Sequence, residues 1–209
     1  MIITSITKVK GMKQAVQVRT DCNRSFLIPK TSLDVLGIKP GSGIDNRVLE
    51  KIESVAKILA TDTAWDVLKH RQLSTVELDQ LLSKYGFSRS ISSSVIAKLK
   101  EMKYLDDTAF ARNTAEKLSK QLKGRNLLIH CLEKKGISND IIKALISEMQ
   151  AVECENIMKL ALTKLKKIKG VPANSAMAKL AAFLGSRGFE QDTVTETVER
   201  IMNIYEEKQ

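Results

Sequence analysis

Apolar and polar positions change rhythm near residue 45. Before it, Ile2-Ile3-Thr4-Ser5-Ile6-Thr7-Lys8-Val9 and Ala15-Val16-Gln17-Val18-Arg19 are β-branched and roughly alternating. That is the period of a half-buried strand. Lys10-Gly11-Met12-Lys13 reads as the turn between them, and Phe26-Leu27-Ile28 adds a third strand before Pro29. Ser32 is placed to cap a short helix through Leu36, closed by Gly37, and Pro40-Gly41-Ser42-Gly43 is a loop. A sheet this small is not self-sufficient and has to lean on helices.

From Asp45 or Asn46 onward the spacing is helical: Val48, Leu49, Ile52, Val55, Ala56, Leu59, Trp65 and Leu68 recur at three and four residues. Ser74-Thr75-Val76-Glu77 is a capping box opening a second helix, which runs to Tyr85 and Gly86. A third runs from about Ser88 to Met102. The pattern then recurs. Leu81-Leu82-Ser83-Lys84-Tyr85-Gly86-Phe87-Ser88 is matched by Cys131-Leu132-Glu133-Lys134-Lys135-Gly136-Ile137-Ser138 and Phe183-Leu184-Gly185-Ser186-Arg187-Gly188-Phe189-Glu190. The three turn glycines stand 50 and 52 residues apart, a period that signals stacked supersecondary units. Each copy closes an apolar helix with Gly at C′, where φ > 0 is needed. In the first two copies, Ser88 and Ser138 stand at the next N-cap.

The same parse predicts helices near 107–122, 125–135 and 138–149, then 152–169, 174–187 and 190–206. The expected fold is mainly α: tandem three-helix repeats at 46–104, 105–150 and 151–209 behind a β-rich extension at 1–45. With 209 residues and only 4% aromatics, the core is aliphatic.

Net charge is +10, which points to a polyanionic partner, nucleic acid first. The charge is sorted along the chain. Residues 157–187 carry seven Lys or Arg and no Asp or Glu, whereas 190–209 carry six acidic residues against Arg200 and Lys208. Cys22, Cys131 and Cys154 have neither metal spacing nor a disulfide framework, which fits a reducing cytoplasm. The N-terminus has no continuous apolar h-region, and no apolar run approaches a membrane span.

Candidate catalytic chemistry is sparse. His70 and His130 lie 60 residues apart, and neither belongs to a recognisable metal-binding or catalytic motif. Phosphate loops, nucleophile elbows and paired-carboxylate motifs are absent. A helix-turn-helix reader would need Arg, Asn or Gln aimed at base edges. The third helices instead start Ser88-Arg89-Ser90-Ile91, Ser138-Asn139-Asp140-Ile141 and Glu190-Gln191-Asp192.

The basic residues fall elsewhere. Phe110, Thr114, Leu118 and Leu122 form an apolar stripe beside Ala111 and Ala115. Arg112, Lys120 and Lys123 project from roughly the opposite face, with Lys117 at its border. Arg125, Lys134 and Lys135 continue the charge. In the third repeat Lys159, Lys166 and Lys167 fall away from most of the apolar stripe, followed by Lys169, Lys179 and Arg187. The plain alternative is a solvated helix face.

Tyr104-Leu105-Asp106-Asp107-Thr108-Ala109-Phe110-Ala111, set between the first two glycine turns, resembles the junction hallmark of the RecX regulatory family. The match is good over about residues 60–150. Thr193 and Thr197 replace apolar positions in the third repeat, and Gly124-Arg125 stands where the family often has Gly-Pro. Asp106 or Asp107 can N-cap the following helix, with Leu105 and Phe110 in the core.

The resemblance implies an elongated, curved helical array that binds the RecA recombinase and its filament on single-stranded DNA. Through it, strand exchange, ATP hydrolysis and filament growth are restrained in recombination and DNA repair. No cofactor follows from the resemblance. The residues themselves point to a non-enzymatic cytoplasmic protein without metal or membrane partner, expected as a monomer, with at most weak contact with double-stranded DNA. Thirteen of the basic residues between Arg112 and Arg187, those named above, are its candidate RecA or DNA contacts. The alternative is a helical-repeat nucleic-acid binder without a RecA partner.

Overall fold

The computed structural model describes residues 1–168 and 171–206, the side chains at 150, 151 and 204–206 being left aside. The chain divides into two compact units, Met1–Asp106 and Asp107–Gln209.

In the first unit β1 (Ile3–Val9), β2 (Met12–Thr20) and β3 (Ser25–Pro29) form an antiparallel meander in the order β1-β2-β3. Gly11, at φ +88°, makes the β1–β2 turn. Val16 lies opposite Ile28 and Val18 opposite Phe26, and all four are buried. The short α1 (Ser32–Val35) comes next. Its N-cap position is Thr31 rather than Ser32, and no side chain caps it.

The long α2 (Asn46–Leu68) starts where the Asp45 carboxylate accepts the Val48 N–H at 2.7 Å. Ile52, Ala56, Ala60 and Ala64 are fully buried at four-residue spacing, and the small side chains let α2 lie close against β3 and α4. The sheet and helices thus share one core, as a sheet too small to stand alone requires. Helix α3 (Thr75–Tyr85) carries the capping box: the Ser74 hydroxyl accepts the Glu77 N–H at 3.1 Å, and the Glu77 carboxylate accepts the Ser74 N–H at 3.2 Å. Helix α4 (Arg89–Glu101) completes the triplet.

The second unit holds α5 (Asp107–Lys120), α6 (Arg125–Lys134), α7 (Asn139–Leu165), α8 (Ala173–Ser186) and α9 (Gln191–Glu206). Gly86, Gly136 and Gly188 separate the second and third helices of each triplet, at φ +98°, +71° and +85°. The residue after each, Phe87, Ile137 or Phe189, is buried. The Phe87 and Ile137 N–H groups donate back to Leu82 and Leu132, which closes a Schellman-type end. Ser88 and Ser138 have N-cap backbone geometry, but neither hydroxyl caps its helix; Ser88 Oγ meets Ser90 Oγ instead.

One expected break is missing. The helices anticipated at 138–149 and 152–169 are the single α7. Met149-Gln150-Ala151-Val152-Glu153 contains neither Gly nor Pro nor a capping residue, so nothing stops the helix between the repeats. Its first half packs Ile142 and Leu145 with Ala111, Ala115, Leu128 and Leu132. Its second half packs Ile157, Leu160 and Ala161 with Leu180, Leu184, Val194 and Ile201. α5 also ends at Lys120, two residues earlier than expected. Leu122 takes a left-handed conformation, at φ +53°, and packs on the third-repeat core.

Candidate polyanion-binding faces

The predicted basic residues of the second unit separate into two kinds. On α5, Arg112 pairs with Glu148 of α7 at 3.2 Å and Lys120 with Glu116 at 3.4 Å, both pairs exposed. Lys117 and Lys134 are exposed, whereas Lys123 and Lys135 are partly covered. Above the buried Ala111, α5 and α7 leave an open cleft of about 260 Å³ whose rim holds the Arg112–Glu148 pair and Asp140.

Arg125 is placed differently from its neighbours. Its side chain is 25% exposed and lies 3.7 Å from Glu153, itself 12% exposed, while its guanidinium also pairs with Glu190 at the start of α9. Its backbone N–H donates to Glu153 Oε1 at 2.8 Å. On either side, Gly124 N–H donates to the Arg187 carbonyl and Asn126 N–H to the Gly188 carbonyl, both at 2.9 Å. A Cβ on Gly124 would overlap the Gly188 backbone, and one on Gly188 would strike Leu127. Gly124 is thus needed for close backbone approach between the second and third repeats, and Arg125 neutralises the carboxylates at that seam. Asn156 adds a bond from α7 to Ser119 Oγ at 2.9 Å. In the sequence the Gly124-Arg125 pair showed only as a departure from the family's Gly-Pro, and Arg125 was expected on the contact face.

The third-repeat cations lack such partners. Lys159 on α7, Lys166 and Lys167 just past its end, and Lys179 on α8 are exposed. None of them forms an ion pair among the described residues. Arg187 lies over the Phe183 ring at 5.3 Å. Lys164, which hydrophobic patterning does not single out, lies on the same ring at 4.7 Å. Lys169 lies outside the described residues.

His70 and His130 are exposed and Cys131 is half-buried. The described residues hold no cluster of His, Cys, Asp and Glu able to ligate a metal. Cys22 is exposed, but a hydrogen bond and the negative charge of Asp21 push its thiol up, away from a reactive thiolate. No described helix is long and apolar enough to cross a membrane.

Fold and faces together define a helical-repeat protein with a small N-terminal sheet and a paired and an unpaired set of surface cations. The regulatory protein RecX of Chlorobaculum tepidum is 31% identical over 150 residues, 70% of this chain and 90% of that protein. The one from Clostridioides difficile is 28% identical over 98% of each chain. A crystal structure of regulatory protein RecX superposes with a TM-score of 0.64 at 20% identity, covering 95% of this chain and 98% of that one. No family model matches the chain. The chain belongs to the RecX family of regulatory proteins.

Proposed function

We propose that this chain binds the RecA recombinase and its filament on single-stranded DNA, and restrains strand exchange, ATP hydrolysis and filament growth. It acts as a monomer in the cytoplasm, without catalysis or cofactor. Its working parts are the three repeats at 46–104, 105–150 and 151–209, with α7 running across the last boundary. Family membership supports a regulatory role. The observation that carries the polyanion contact is the acid-free stretch 157–187, whose exposed lysines find no carboxylate among the described residues. A core does not need unpaired lysines, and a phosphate backbone does attract them. Lys117 and Lys134 are secondary contacts, and Arg112 and Lys120 contribute after releasing their carboxylates.

The test is DNA-dependent ATP hydrolysis by RecA on single-stranded DNA, with and without the protein. Inhibition at ratios well below one protein per RecA supports action on the filament. Unchanged hydrolysis together with salt-sensitive DNA binding would favour the nucleic-acid binder without a RecA partner.

A further inference from the structure

In the first unit an aromatic side chain is exposed where the core does not use it. Tyr104 is 57% exposed, although the adjacent Leu105 is 3% exposed. Its ring meets Trp65 edge to face, with centroids 4.4 Å apart and planes at 77°. Met102, two residues earlier, is 48% exposed. The contact joins the C-terminal ends of α2 and α4; Lys98 and Lys100 stand in the last turn of α4, Lys103 follows it, and Lys69 and Arg71 follow α2. Carboxylates near these cations in sequence include Asp66, paired with Lys69 at 3.1 Å, Glu101, Asp106 and Asp107.

Helix-end carbonyls account for part of that basic excess, since cations favour the last turn. They do not account for the exposed ring. Lys103 is held at φ +58°, which is uncommon for a residue with a side chain. Its N–H donates to the Lys100 carbonyl, and the Tyr104 N–H to the Leu99 carbonyl at 3.0 Å. The turn therefore fixes the backbone of the exposed tyrosine rather than leaving it on a loose loop.

We propose that Tyr104, backed by Trp65, is a stacking platform for an unpaired base of single-stranded nucleic acid, with Lys103 and Arg71 taking the adjoining phosphates. A flat ring beside cations is what a base with its backbone requires, and stacking of this kind tolerates any sequence. An apolar protein segment would have no use for the cationic rim. The proposal rests on the reading that the chain meets single-stranded DNA, but it lies on the first unit, whereas the acid-free stretch lies on the second.

Trp65 is the only tryptophan, so its emission reports this site alone. The full chain is titrated with oligothymidylate and with an abasic oligonucleotide of equal length and charge. Oligothymidylate quenches Trp65 and binds about tenfold more tightly than the abasic strand. Tyr104→Leu keeps an apolar cover on Trp65 and lowers oligothymidylate affinity about tenfold, with the salt slope unchanged. Tyr104→Phe restores it. Salt-sensitive binding with no change in Trp65 emission, and Tyr104→Leu equal to wild type, overturns the platform and leaves the single-strand reading standing. No binding of either strand at low salt overturns both. Quenching by RecA alone, without DNA, assigns the ring to a protein contact and overturns the platform.

Discussion

The second and third repeats share α7, yet their basic residues meet different surroundings. Around the second, Arg112 faces Glu148, Lys120 faces Glu116, and Arg125 is enclosed by Glu153 and Glu190. Around the third, Lys159, Lys166, Lys167 and Lys179 project from a stretch with no carboxylate of its own. Similar numbers of cations thus do different things. Those of the second repeat are partly used to hold the unit together. Those of the third are exposed and form no ion pair among the described residues. A count of positive charge cannot make this distinction, because it depends on what folding brings opposite each side chain.

The largest expected effect is on the seam. Gly124→Ala drives a methyl into the Gly188 backbone, where no rotamer can relieve it, and should cost about 1–3 kcal/mol. Gly185→Ala on α8, with nothing within 4 Å, is its control and should gain up to ~1 kcal/mol from helix propensity. Thermal and urea melts compare the two. Equal melting would mean that the repeats do not meet at Gly124.

Arg125→Glu comes next. It faces two carboxylates instead of pairing them, and should destabilise by roughly 2 kcal/mol, between the values for exposed and buried pairs. A melting temperature equal to wild type would return Arg125 to the exposed contacts. Arg125→Glu with Glu190→Arg should recover part of the loss.

Smaller in stability but decisive for function is the lysine exchange. Reversing Lys159, Lys166, Lys167 and Lys179 to Glu should leave stability within about 0.5 kcal/mol per site while abolishing most filament inhibition. Reversing Arg112, Lys117 and Lys120 should weaken inhibition less. The opposite order would break the comparison between the repeats. Smallest of all, His70→Ala and chelator treatment should leave inhibition by folded protein unchanged, because the described residues hold no ligand set for either to touch. Loss of activity on chelation, restored by one metal, would contradict this.

Much of the fold was legible because its signals are local. A Gly at φ > 0, a capping box and a strand alternation each lie within a few residues of what they specify. The three glycine turns, the Ser74–Glu77 box and the three strands were therefore readable. The break expected near 150 was not there. Repeat logic required a boundary, whereas the residues supplied no stop signal, and the local chemistry won. The seam was less legible still. Arg125 and Glu190 are 65 residues apart in sequence, and Arg125 and Glu153 are 28 apart. No periodicity links such partners. Lys164 was missed because its importance comes from Phe183, on the next helix.

The central claim is that unpaired cations of the third repeat meet the nucleic-acid backbone of a RecA filament. It is tested most directly by filament affinity as a function of salt, for wild type and for the Lys159, Lys166, Lys167 and Lys179 reversal. With about four phosphates contacted on single-stranded DNA, log K should fall against log salt with a slope near −3, and the reversal should flatten it. A wild-type slope near zero, or a slope and affinity untouched by the reversal, would contradict the claim and return these lysines to a solvated face.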